Sequence, residues 1–122
     1  MDINIKDELV KKGVDYGGAL HRFLDMEDMY INFLKTYAED NSFEEIRTSI
    51  ADRDAESAFV AAHNMKGLAI NLGLNVVAGV TTQLAEQLRD KAYDELDIEK
   101  VNALIENLSE VNKEYVDLIR EL

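Results

Sequence analysis

Between Ile98 and Leu122 the apolar residues Ile98, Val101, Leu104, Ile105, Leu108, Val111, Tyr115, Leu118, Ile119 and Leu122 recur every three or four positions. A repeat near 3.6 residues sustained for about seven turns predicts one long amphipathic helix, because only that geometry gathers such positions on one face. A helix of this length cannot bury its stripe alone. The rest of the chain must supply matching faces.

It does so at the same period. Val77, Val80, Leu84 and Leu88 share one face of the stretch from 75 to 96, with Asn75 as the expected N-cap. The stretch 42 to 51 opens with Ser42 and Glu45 at capping-box spacing, so Ser42 is expected to cap it. Asp52 to Asp54 reads as a tight turn before a helix over 55 to 71, stopped by Gly73 in a left-handed conformation. A further helix is expected over 27 to 38 from Met29, Tyr30, Phe33, Leu34 and Tyr37, and shorter ones over 3 to 12 and 19 to 25, separated by residues 13 to 18. Proline is absent and no run alternates with the period of a strand. Short connections favour antiparallel neighbours. The expected fold is therefore all-α, an antiparallel up-and-down four-helix bundle with a short N-terminal helical extension. A length of 122 residues, 47% of them hydrophobic, suits one domain over 1–122 with one core.

Charge narrows the partners. The net charge of −12, from 25 acidic and 13 basic residues, disfavours nucleic acid, whose affinity comes from neutralising phosphates. Anionic membrane surfaces are disfavoured by the same sign, and no apolar run reaches the roughly 18 residues needed to span a bilayer. The first twelve residues lack the pattern of a secretory signal, which points to the cytoplasm. With no cysteine, disulfides, thiol catalysis and thiolate metal sites are excluded.

The helix over 55 to 71 holds the chemistry. With about 100° per residue, Ala58, Ala61, Met65, Leu68, Ala69 and Leu72 are expected to form its core stripe, and His63 points to the opposite side. Glu56, Val60, Gly67 and Ile70 fall near His63, with Lys66 and Phe59 to one flank. Phe59 is expected to pack on a neighbouring helix. A glycine inside a helix costs roughly 1 kcal/mol relative to alanine. Gly67 lies one turn beyond His63, where a side chain would lean back over the imidazole. Lys66, at i+3, adds a positive charge. Room and a cation beside a neutral imidazole suit an anionic group, and a phosphoryl group fits: imidazole is a competent nucleophile near neutral pH. Phosphoryl transfer depends mainly on positioning and charge neutralisation.

Ala62, His63, Met65, Lys66, Gly67, Ala69, Leu72 and Gly73 resemble the motif of the histidine-containing phosphotransfer (HPt) family, with Met65 where leucine is commoner. The resemblance implies an intermediate of two-component phosphorelays, with a response-regulator receiver domain and a sensor histidine kinase as partners. It makes His63 the phosphoryl acceptor through Nε2, Lys66 the screen for its charge and Gly67 the access point. Val60, Ile70 and Glu56 would border the docking face, and Gln83 would be the polar residue that the following helix brings near the histidine. It also implies a monomeric carrier without kinase activity and without a cofactor of its own, the Mg²⁺ belonging to the receiver. The absence of a Gly-rich nucleotide loop agrees.

Three other readings compete. A di-metal helical bundle needs Glu-x-x-His pairs, but Val60 and Gly18 occupy the positions three before His63 and His21. Hence no metal site is expected, and His21 has no functional context. A non-phosphorylated receiver-binding module of the same fold is the alternative function, which intact His63, Lys66 and Gly67 disfavour. The phosphorylatable domain of a chemotaxis kinase, detached from its catalytic part, would differ in taking phosphate directly from a kinase.

Overall fold

The computed structural model describes residues 3–122; Met1 and Asp2, part of the stretch read for a secretory signal, lie outside it. The chain runs through α1 (Ile3–Lys11), α2 (Tyr16–Arg22), α3 (Glu27–Ala38), α4 (Ser42–Ala51), α5 (Ala55–Leu72), α6 (Asn75–Leu88), a single 3₁₀ turn (Tyr93–Glu95) and α7 (Ile98–Ile119). Among the described residues there is no strand, only an isolated antiparallel bridge between Val14 and Leu74. The all-α class is as expected. No described helix is long and apolar enough to cross a membrane.

Local chemistry sets the boundaries, and several differ from the sequence reading. Aspartates cap three helices: Asp15 accepts from Gly18 N, Asp54 from Ser57 N and Asp97 from Lys100 N. The Asp15 cap starts α2 at Tyr16, so Tyr16, Gly17 and Gly18 belong to a helix rather than to a separator. The expected box at Ser42 and Glu45 does not form. Asn41 is the N-cap of α4 without a side-chain bond, and the Asp40 carboxylate accepts from Ser42 N instead. Asn75 is likewise the first residue of α6 rather than its cap. That position falls to Leu74, whose apolar side chain is fully buried, so α6 starts without a side-chain cap. Finally, α6 stops at Leu88 instead of running on to 96, because Arg89 turns to an extended ψ of 125° and Asp90 adopts a φ of 54°.

The helix carrying His63 lies between two others: α5 packs against α4 on one side and α6 on the other, while α7 covers α6 and reaches α3 and α1. Buried residues from all seven helices, including Leu9, Ala19, Leu34, Ile46, Met65, Leu84 and Leu108, form one contiguous core. On α5 the buried set is Ala55, Ala58, Ala61, Ala62, Met65, Ala69 and Leu72. Five small side chains in this set let α4 and α6 approach its backbone closely. Leu68, expected in the stripe, is exposed. It borders a groove between α5 and the α3–α4 junction, where no helix covers it, and Ala62 is buried in its stead.

The C-terminal end of α5 is closed by the N-terminal part of the chain. A helix leaves its last carbonyls without internal donors. Here Arg22 donates to the carbonyls of Ile70 (2.9 Å) and Asn71 (3.0 and 3.1 Å), and the Tyr30 hydroxyl to that of Leu72 (2.7 Å). Gly73 takes the left-handed conformation expected of it, with φ of 74°, and accepts from Asp15 N at 2.9 Å. A Cβ at Gly73 would lie 2.6 Å from the Asp15 carbonyl oxygen, so that close approach also requires glycine.

Candidate functional site

A rigid helix with both ends secured holds the site. At the start of α5, Asp54 accepts from the Ser57 backbone N–H (3.0 Å) and hydroxyl (2.7 Å), and those two bonds, the hydroxyl first, hold its carboxyl below the usual carboxylate range. This cap is fully formed above the ordinary carboxylate pKa and weakens as pH falls through the lowered one. Nine residues on, midway along α5, His63 is exposed.

No hydrogen bond or ion pair occupies the imidazole, and none occupies the ammonium group of Lys66 on the next turn. Lys66 is half-buried along its stem. A Cβ built at Gly67 meets no atom within 4 Å. Internal packing therefore does not demand this glycine, and the space it leaves belongs to the outside of the molecule. An alanine methyl would not touch the ring, which corrects the expectation that any side chain at this position would crowd the imidazole.

Glu56, Val60 and Ile70 are exposed on the same face as His63, Val60 at 51% and Ile70 at 53% of their full accessibility. Gln83 is exposed on α6 and makes no hydrogen bond to His63. The candidate residues that the structure gathers around His63 thus come from one helix. Two depressions flank it. One is lined by Asp40, Ser42, Glu45, Asn64, Leu68 and Asn71 beside His63 and Gly67, and the other by Glu56, Phe59, Val60, Leu88, Asp90 and Lys91.

Two residues that the sequence reading did not assign to the site stand next to it. Phe59 packs partly on the core, as expected, but its ring also stacks on His63, with centroids 5.9 Å apart and planes 23° from parallel. The guanidinium of Arg89 lies 5.2 Å from the centre of the Phe59 ring. The i,i+4 spacing of Phe59 and His63 was visible in sequence. Arg89 gave no such signal, because it meets Phe59 only through the packing of α6 on α5. Among the described residues no group of three or more histidines, cysteines or carboxylates is placed to hold a metal ion.

An accessible histidine, an unpaired lysine one turn away and open space over a glycine now stand on one helix, and a family model described as the Hpt domain matches residues 28–114 around them. The chain belongs to the Hpt domain family. No curated protein and no solved structure matches it. The Hpt match begins one residue inside α3 and ends within α7, so it contains all of α4, α5 and α6 and leaves α1 and α2 outside. At the level of the family, Hpt membership implies histidine phosphotransfer in two-component phosphorelays.

Proposed function

We propose that this Hpt domain accepts a phosphoryl group on His63 and relays it to or from the aspartate of a receiver domain. The observation that carries the reading is the exposed His63 imidazole with no competing bond, beside a Lys66 ammonium without a partner and the open space over Gly67. The scaffold of this activity is an antiparallel up-and-down four-helix bundle with its N-terminal extension, acting as one domain over 1–122.

In the transfer step the lone pair of His63 Nε2 attacks phosphorus in line with the aspartyl oxygen. The N–P bond forms as the P–O bond breaks, the aspartate leaves as a carboxylate with the electron pair, and Nδ1 keeps its proton. Onward transfer is the reverse, to a second carboxylate. Charge spreads over the three phosphoryl oxygens during this step, and Lys66 provides a cation within reach of them. The receiver brings Mg²⁺ and the acidic pocket, so this chain acts as carrier and substrate rather than kinase. Val60 and Ile70 supply apolar area for docking around the histidine, with Glu56 and Gln83 at its margin.

The test is to incubate the protein with phosphorylated receiver domains and with sensor kinases, and to record intact mass before and after mild acid. An acid-labile gain of one phosphoryl group, lost in His63→Gln, is the expected outcome. Binding to a receiver without labelling would replace this reading with that of a non-phosphorylated interaction module.

A further inference from the structure

We propose that Phe59 is a positioning residue for His63: its ring fixes the plane of the imidazole and its π face stabilises the positive charge that develops there during transfer. The inference rests on the relay reading above and adds to it a residue that α5 holds one turn before the histidine.

A nucleophilic histidine is ordinarily oriented by a hydrogen bond to its second ring nitrogen. His63 has none. The contact that takes this place is the stack on Phe59, at 5.9 Å and 23°. Because the lone pair lies in the imidazole plane, a near-parallel ring beneath it leaves the nitrogen edge open while restricting rotation of the side chain.

Phe59 is itself held on two sides. It packs partly against the core, and the Arg89 guanidinium lies over its ring at 5.2 Å. Arg89 is tied in turn to Glu86 by hydrogen bonds of 3.0 and 3.2 Å. The end of α6 thus braces the aromatic ring that braces the histidine.

The chemistry gives the stack a second effect. When Nε2 bonds to phosphorus and Nδ1 retains its proton, the imidazole becomes cationic. An aromatic face against a cation stabilises it, by an amount that at an exposed site corresponds to roughly two- to fivefold in rate. The charged groups around this ring system are Glu56 and Lys66 on α5, Glu86 on α6 with Arg89 at its C-cap, Asp90 and Lys91 just beyond, and Asp40 and Glu45 across the depression beside His63.

The experiment compares wild type with Phe59→Leu, Phe59→Tyr and Arg89→Met, using rapid-quench phosphotransfer from a phosphorylated receiver and proton NMR of the His63 ring. Phe59→Leu should lower the maximal transfer rate roughly two- to fivefold, with the half-saturating receiver concentration unchanged, and should move the His63 ring protons downfield as the ring current is lost. Phe59→Tyr should restore both. Arg89→Met leaves the core contact of Phe59 in place and removes only the brace on its ring, so it should move the His63 ring protons downfield by less than Phe59→Leu does, which covers the case of a poorly folding Phe59→Leu. A labelled wild type with unchanged rate and ring shifts in Phe59→Leu overturns this inference alone, and so does a Phe59→Tyr variant as slow as Phe59→Leu. An unlabelled wild type overturns the relay reading itself, and the positioning role falls with it.

Discussion

The Tyr30 hydroxyl donates a 2.7 Å hydrogen bond to the carbonyl of Leu72, the last residue of the helix that carries His63. Both groups are buried, so Tyr30→Phe leaves an acceptor without a donor and without water. A buried bond of this kind is worth about 1–2 kcal/mol. The expected result is a lower urea midpoint with an unchanged m-value and undiminished phosphoryl acceptance. An unchanged midpoint would show that the Leu72 carbonyl finds another donor.

Gly67 separates stability from function. Its Cβ position is open, so Gly67→Ala should stabilise the protein by about 1 kcal/mol through helix propensity alone, with transfer largely retained. A long side chain, as in Gly67→Gln or Gly67→Leu, should keep most of that stability and impair transfer by crowding the imidazole. Thermal melts beside transfer rates check both, and normal transfer in Gly67→Leu would remove the steric role.

His63→Gln should abolish labelling while leaving helicity and the melting midpoint nearly unchanged, because an exposed, unbonded side chain contributes little to folding. A large drop in the midpoint by circular dichroism would contradict the exposed placement.

Lys66→Ala should slow transfer or shorten the lifetime of phosphohistidine, and Lys66→Arg should recover much of the loss, since the role asked of it is charge. The effect should shrink at high salt, where exposed charges are screened. Equal rates and lifetimes in wild type and Lys66→Ala would leave this residue a solvated surface charge.

Alkali should unfold the protein through its tyrosines. Burial, then the Glu27 carboxylate, pushes the Tyr16 phenol up to about 12, and burial raises Tyr30, Tyr37 and Tyr115 as well. A raised folded-state pKa means that the folded protein holds the proton more tightly than the unfolded chain. The associated stability is complete below the unfolded value, about pH 10, and is lost as pH rises through the folded values. Tyrosinate absorbance should therefore appear together with loss of helical circular dichroism above that pH. Titration of these phenols with helicity intact would refute the coupling.

The helices were legible where periodicity is long, as in α7, and where stop chemistry is unambiguous, as at Gly73. Their starts were less so. Ser42 and Asn75 look like caps in sequence, yet the neighbouring Asp40 and the buried Leu74 decide those ends, and that choice depends on how the connections pack. Leu68 shows the same limit, since the projection places it near the core but cannot say whether a neighbouring helix covers that edge. That His63, Lys66 and Gly67 stand together was legible because one helix carries all three. Arg89 was not, because its contact with Phe59 crosses from α6 to α5.

The closure at the end of α5 bears on where the folding unit is cut. The Hpt match covers 28–114 and so includes Tyr30, but Asp15 and Arg22 lie upstream of it. Trimming the chain to the matched span would remove Arg22 from the carbonyls of Ile70 and Asn71 and the Asp15 N–H from that of Gly73; Ile70 and Gly73 would keep the Gly73 and Asn75 N–H groups, while Asn71 would lose its donor and loosen the last turn of α5. That loosening would begin one turn beyond Lys66 and Gly67. A fragment drawn to the limits of the family pattern would thus keep His63 while losing part of the clasp on the end of its helix.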